Sequence, residues 1–208
     1  MKNSILACVC FVTVLLMGTP DAGAAGFGIY GSAGDGGSST WTDDSTPGNF
    51  KVDATHKGAG FVFDTAVAQD KFFNYQLNFG YDSFQNKSAT TGNELVELSG
   101  LMISNSFGFG MVRTEAFRMW MGPEIRLAWP SGSNITGDYD LFGAGVGPVL
   151  GMNFNLPGTV TFGVKLGYQF MTYNGTRDTT MSSYDVKIKE KLLYINLGIL
   201  FRSPGEVF

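Results

Sequence analysis

Cysteine is almost missing from this chain. Cys8 and Cys10 are the only two, both within the first ten residues. Everything that follows is therefore without a disulfide, a thiol nucleophile or a thiolate metal ligand. Histidine occurs once, at His56, which excludes the multi-histidine spacing of a transition-metal centre. Charge is scarce as well: Asp, Glu, Lys and Arg make up 15% of the 208 residues, well below the ~25% usual in soluble domains. Acidic residues outnumber basic ones 18 to 14, a net charge of −4. No basic patch points to nucleic acid. Beyond the N-terminus no apolar window reaches the length of a membrane-spanning helix.

The one long apolar run comes first. Met1-Lys2-Asn3 is a basic start, Ile5 to Met17 is nearly unbroken apolar chain, and Gly18-Thr19-Pro20 interrupts it. Ala22-Gly23-Ala24 then offers small residues for cleavage. The run is shorter than the ~20 residues a spanning helix needs, so residues 1–25 read as a cleaved secretory signal peptide. Acylation at Cys8 or Cys10 would leave the apolar segment mostly on the wrong side of the modified residue. What remains is one domain, residues 26–201, and a short tail, residues 202–208.

That domain has alternation. In 72–81, Phe73, Tyr75, Leu77, Phe79 and Tyr81 share one parity, while Asn74, Gln76, Asn78 and Gly80 share the other. A strand sends successive side chains to opposite faces, so one face is aromatic and apolar and the other is small and uncharged. The same tracking predicts strands at 26–32, 57–67, 94–110, 118–129, 141–154, 159–173 and 187–201. Phe27, Ile29, Phe61, Phe63, Leu101 and Ile103 face outward in the earlier strands; Asn105 interrupts that face without an evident reason. In the later strands the outward rows run from Met119 to Trp129, Phe142 to Phe154, Val160 to Phe170 and Leu193 to Phe201. Connections alternate in length, short at 68–71, 111–117 and 155–158, and longer and polar at 33–56, 82–93, 130–140 and 174–186. The predicted class is all-β: an eight-stranded antiparallel up-and-down transmembrane β-barrel with four long extracellular loops.

A soluble eight-stranded barrel would alternate too. In that case Gly143, Gly145, Gly147 and Gly151 would form an uncharged stripe in water, whereas soluble surfaces are charged and mixed. Aromatic residues also gather near strand ends, at Tyr81, Phe109, Trp129, Phe142 and Phe154, like the belts at membrane interfaces. From Gly26 to Phe201 the chain resembles the small outer-membrane barrels of the OmpA, OmpX and opacity-protein type. The resemblance implies a Gram-negative outer-membrane location, outer-membrane lipids and the barrel assembly machinery as partners, a monomer, porin-like function at most, and no cofactor. It also implies an aromatic assembly signal at the end of the last strand. Phe201 or the terminal Phe208 fills that place, and Pro204 between them should stop pairing.

Eight strands leave an interior that side chains can fill. The inward parity carries Asp64, Arg118, Trp120, Glu124, Arg126, Lys165, Gln169, Glu190, Tyr194 and Asn196. Charges confined there must pair or be hydrated. Glu124 and Lys165 lie at similar depths, about six residues above a short turn, on either side of strand six. The inward glycines of that strand, Gly143, Gly145, Gly147 and Gly151, would leave room for Glu124, Arg126 and Lys165 to meet. With Arg118, Asp64 and Glu190, this cluster reads either as an ionic gate in a narrow pore or as a plug that stabilises the barrel. Filled interiors are the norm at this strand number.

Enzyme chemistry finds little support. His56 has Asp53 before it and Lys57-Gly58 after it, no His-x-Ser element exists, and the residue reads as the rim of the first long loop. No catalytic residue is assigned. Asp35, Asp43 and Asp44 read as solvated loop charge rather than a calcium site, so no metal is assigned either. Residues 143–147 are not a phosphate loop, because no helix follows. The sequons at Asn86, Asn134 and Asn174 are what polar loops produce by chance. Trp41, Tyr139 and Tyr184 are candidate loop-tip anchors for a surface ligand. The expected function is a non-enzymatic structural or surface-interaction role with at most a narrow gated pore. The alternatives are a hydrophobic-ligand carrier or adhesin, and a lipid-modifying enzyme.

Overall fold

The computed structural model describes residues 25–43, 46–67, 71–88, 94–135 and 137–202. They form eight strands: β1 (Gly26–Asp43), β2 (Thr46–Asp64), β3 (Phe73–Ser88), β4 (Glu94–Arg113), β5 (Phe117–Asn134), β6 (Gly137–Asn155), β7 (Val160–Asp178) and β8 (Ser183–Arg202). Each pairs antiparallel with its neighbour in sequence, and β1 pairs with β8, so the sheet closes on itself. Closure removes the unpaired edges that an open sheet would expose. The strands are staggered. Followed round the barrel through successive partners, Tyr30 leads by way of Gly60, Gly80, Met102, Ala128, Gly143, Tyr173 and Ile188 to Trp41, well up the same strand. Such stagger is what tilts the strands of a closed barrel.

Polarity is inverted relative to a water-soluble protein. Asp64, Asn74, Asn78, Ser106, Arg118, Glu124, Arg126, Lys165, Gln169 and Glu190 are all buried in the interior. The outer wall carries Phe27, Ile29, Phe61, Phe79, Leu101, Ile125, Val146, Phe162, Leu193 and Leu197, each exposed. An apolar surface that encircles the molecule is far larger than the patches soluble monomers tolerate. Asn105, the odd member of this wall, accepts a 2.5 Å hydrogen bond from the Tyr75 hydroxyl, while the Tyr75 ring packs at 5.5 Å on Phe107. Its amide oxygen is thus satisfied without water.

The long connections are corrected by the structure. The segments 33–56, 82–93, 130–140 and 174–186 are mostly strand: β1 runs to Asp43 before β2 starts at Thr46, and β7 runs to Asp178 before β8 starts at Ser183. The described parts of the four long connections are therefore tall extensions of the strands. Polar composition suggests loop, but alternation continues through it, with Trp41, Val52, Phe84, Leu98, Tyr139, Leu141 and Ile188 buried on the inward parity. At the other end β8 includes Arg202, whose guanidinium donates to the Leu156 carbonyl at 2.6 Å and also to Gly158, fastening the β6–β7 turn. Phe201 is an exposed outward residue of β8. The proposed signal segment up to Ala24, and Phe208, lie outside the described residues.

Candidate functional site

The midpoint of the lumen is organised round one carboxylate. Glu124, on β5, is fully buried. Its Oε2 receives Lys165 Nζ from β7 at 2.7 Å and the Ser106 hydroxyl from β4 at 2.7 Å. Its Oε1 receives the Tyr194 hydroxyl from β8 at 2.6 Å, Gln169 Nε2 at 3.1 Å and an Arg126 guanidinium nitrogen at 3.4 Å. Arg126 also lies over the Tyr194 ring, 4.2 Å from its centre, a cation–π contact strengthened by exclusion of water. Both charges opposite Glu124 are buried with it, so the group forms a hydrogen-bonded knot tying four strands together. Parity brought Glu124, Arg126 and Lys165 to the same place; Ser106 and Tyr30 contribute to the same interior but were not singled out from sequence.

The inward glycines of β6 have a different role from the one expected. A Cβ on Gly151 would run into the Trp120 indole, one on Gly143 into the Tyr173 ring, and one on Gly145 into Met171 Sδ and the Phe170 carbonyl. A Cβ on Gly147 would strike the Tyr168 carbonyl. On neighbouring strands Gly167 likewise faces the Tyr194 ring, and Gly80 faces the Tyr30 hydroxyl. Gly143, Gly145 and Gly151 are seats for inward aromatic and thioether side chains, and Gly147 lies against backbone, so none is open floor beneath the ion pair. An aromatic ring lying over a cross-strand glycine restores the packing that the glycine lacks. A cavity of about 20 Å³, lined by Tyr30, Gln76, Asn78, Lys165 and Asn196 together with Val62 and Leu200, lies beside the knot. Its size is that of about one water molecule.

A second charged layer lies toward the termini. Asp64 accepts the Ala66 amide at 2.9 Å and Gln76 Nε2 at 3.2 Å, with Arg118 as its electrostatic partner. The third layer is nearer the hairpin tips and corrects the reading of His56. This residue is not at the rim of a loop; it is 3% exposed inside β2. Its Nε2 lies 2.8 Å from Glu190 Oε1, and its Nδ1 lies 3.4 Å from Asp82 Oδ2. The ring stacks on Phe84 at 5.2 Å. On β2 the outer face is apolar from Phe63 to Ala59 and turns charged at Lys57, so His56 sits beyond the apolar wall. Burial opposes its protonation, but the carboxylates of Glu190 and Asp82 outweigh burial and raise its pKa to about 9. Both ring nitrogens face acids, a geometry suited to holding charge rather than to activating a nucleophile. Asp82 was missed from sequence because it was placed in a loop; it continues the parity of Gly80 and Asn78.

Above His56 the lumen becomes largely apolar, with Ser39 and Asn86 as buried polar members. Trp41 and Tyr139, expected as exposed anchors, are 4% and 6% exposed and meet edge-to-face at 5.9 Å. Tyr184 is half-buried under the Arg177 guanidinium at 5.2 Å. Of the loop acids, Asp35 and Asp43 belong to β1, and Asp44 lies outside the described residues. Among the described residues no three His, Asp or Glu side chains converge on a point that would hold a metal ion.

Solved structures repeat this architecture. The outer membrane protein OprG from Pseudomonas aeruginosa is similar over 86% of this chain and 97% of its own, with 15% identity and a TM-score of 0.60. The chain has the fold of small outer-membrane β-barrel proteins. The outer membrane protein AlkL, determined in DMPC lipid bilayers, is similar over 91% of this chain and 96% of its own, with 11% identity and a TM-score of 0.59. Identities this low extend to the fold of the barrel alone. No protein-family model and no curated protein sequence matches the chain.

Proposed function

We propose that this protein is a non-enzymatic, eight-stranded barrel of a bacterial outer membrane, delivered there by its N-terminal signal segment. Its lumen is closed by side chains, and its role is structural or surface-directed. The observation that carries this reading is the inversion of polarity: a band of apolar wall runs all the way round, and behind it Glu124, Arg126 and Lys165 are buried and paired. Hydrocarbon is the solvent in which that distribution is stable. Both termini leave at one end, because β1 begins beside the end of β8. In the usual orientation that end is periplasmic and the hairpin tips face outward. The knot at Glu124 supports a plug that also limits any pore, so the barrel conducts weakly if its knot holds. A surface ligand would meet the hairpin tips, where Ile135 and Met181 are the most exposed large apolar side chains among the described residues.

Two measurements test the reading. Single cysteines in place of Ser133 or Met181 should react with an impermeant thiol reagent on intact cells, whereas those replacing Glu115 or Gly158 should react only after lysis. Equal labelling of both pairs would overturn the orientation. The purified barrel in a planar bilayer should show no steady open state of porin size; a large constant current would overturn the closed lumen.

A further inference from the structure

The outer face of β8 changes character abruptly. From the terminal end it presents Phe201, Ile199, Leu197, Ile195 and Leu193, all exposed, and then Lys191, Lys189 and Lys187, also exposed. Residues two apart on a strand lie about 7 Å apart on one face, so the lysines form a continuous column directly above the apolar one. The positions paired with them supply no acid. Lys191 pairs with Ser38 and Phe170, Lys189 with Thr40 and Thr172, and Lys187 with Thr42 and Asn174. None of the three ammonium groups meets a carboxylate within ion-pair distance among the described residues, although Asp35 stands one step lower on β1 opposite Leu193 and Asp185 caps the column.

Such a column is unusual for this chain. Its net charge is −4, and the corresponding outer positions across the barrel carry Glu97 on β4 and Asp138 and Asp140 on β6, all exposed. Like charges stacked on one strand face repel each other, and among the described residues no carboxylate pairs with them directly. Their place at the upper margin of the apolar wall is the headgroup level of the outer leaflet, where long lysine side chains extend from hydrocarbon to the interface. We propose that Lys187, Lys189 and Lys191 form a binding site for the phosphorylated headgroup of an anionic lipid in the outer leaflet, with Thr40, Thr172 and Asn174 as flanking hydrogen-bond donors. The acyl chains of the same lipid would lie along Leu193 to Phe201. The proposal rests on the outer-membrane reading and adds a lipid-selective face to it.

The test uses the full mature chain, refolded and reconstituted in phosphatidylcholine vesicles, as wild type and as the triple variant Lys187→Ser, Lys189→Ser, Lys191→Ser. Flotation with vesicles and resistance to protease report barrel insertion. Binding is then titrated with bisphosphorylated lipid A and with the same lipid stripped of phosphate. A lysine near an anionic surface contributes roughly fivefold in affinity, so the triple variant should bind the phosphorylated lipid on the order of a hundredfold more weakly. Wild-type binding should weaken steeply with salt, lose its preference when the phosphates are removed, and resist competition by millimolar inorganic phosphate. Equal affinity of wild type and variant, indifference to the phosphates, or displacement by free phosphate would each overturn the site. If neither protein inserts into vesicles, it is the membrane-barrel reading that fails.

Discussion

At the scale of single residues, Glu124 is the position on which most of the lumen depends. It accepts hydrogen bonds from Lys165, Ser106, Tyr194, Gln169 and Arg126, and it is fully buried. Replacing it with Gln keeps the shape but leaves Lys165 and Arg126 without the charge between them. Loss of one partner of a buried ion pair costs about 3–5 kcal/mol, and hydration of the lumen would lower that figure. Glu124→Gln should therefore lower the temperature at which the folded, fast-migrating band converts to the unfolded one on a gel. Lys165→Met should do the same. The double variant should lose less than the two singles combined, with a coupling above about 1 kcal/mol. Strict additivity would show that the contacts at 2.7 Å do not act as a unit.

At the scale of elements, rings placed over cross-strand glycines pack the inner faces of strands that the backbone ladders already pair. Trp120 on β5 is fully buried and lies over Gly151 of β6, its register partner. Any Cβ at position 151 must displace the indole, and the Arg118–Asp64 layer lies on the same side of the knot. Gly151→Val should thus destabilise the barrel by about 1–3 kcal/mol, the range typical of overpacking. Trp120→Leu should recover part of the loss if the clash is with the ring; no recovery would place the strain in the backbone. This relation also shows what sequence could and could not tell. The alternation of Phe73, Tyr75, Leu77 and Phe79 is written in the chain because a strand's side-chain period is two, and no neighbour is needed to read it. Glu124, Arg126 and Lys165 followed from parity and depth. Which ring sits over which glycine depends on register between strands, and register is a property of the closed sheet. The hairpin extensions look like loops in the sequence because they are rich in Gly, Ser, Thr and Asp, residues that punctuate loops as well. His56 and Asp82 were misplaced for that reason alone.

At the scale of the whole molecule, the inward charges from the Asp64 layer up to His56 balance, among the described residues, only when the histidine is protonated. Asp64, Glu124, Asp82 and Glu190 face inward, and Arg118, Arg126 and Lys165 answer them. His56 supplies the remaining positive charge when it is protonated. Glu190 and Asp82 flank its ring, Phe84 of β3 stacks on it, and Tyr173 of β7 stacks on Phe84 in turn. Its pKa is raised from about 6.5 to about 9 because those carboxylates outweigh the cost of burial. A group whose pKa is higher in the folded state stabilises fully below its unfolded value and loses that contribution as pH rises through the folded value. The barrel should therefore hold an even heat resistance up to about pH 6.5 and lose some of it progressively between there and about pH 9. A shift of this size corresponds to on the order of 3 kcal/mol. His56→Gln should lower stability at pH 6, leave Glu190 and Asp82 uncompensated, and flatten the decline across that interval. The measurement is the same gel transition recorded at several pH values for both proteins. If His56→Gln declines in parallel with wild type, other groups titrate the barrel, and the lumen does not depend on this histidine for its balance of charge.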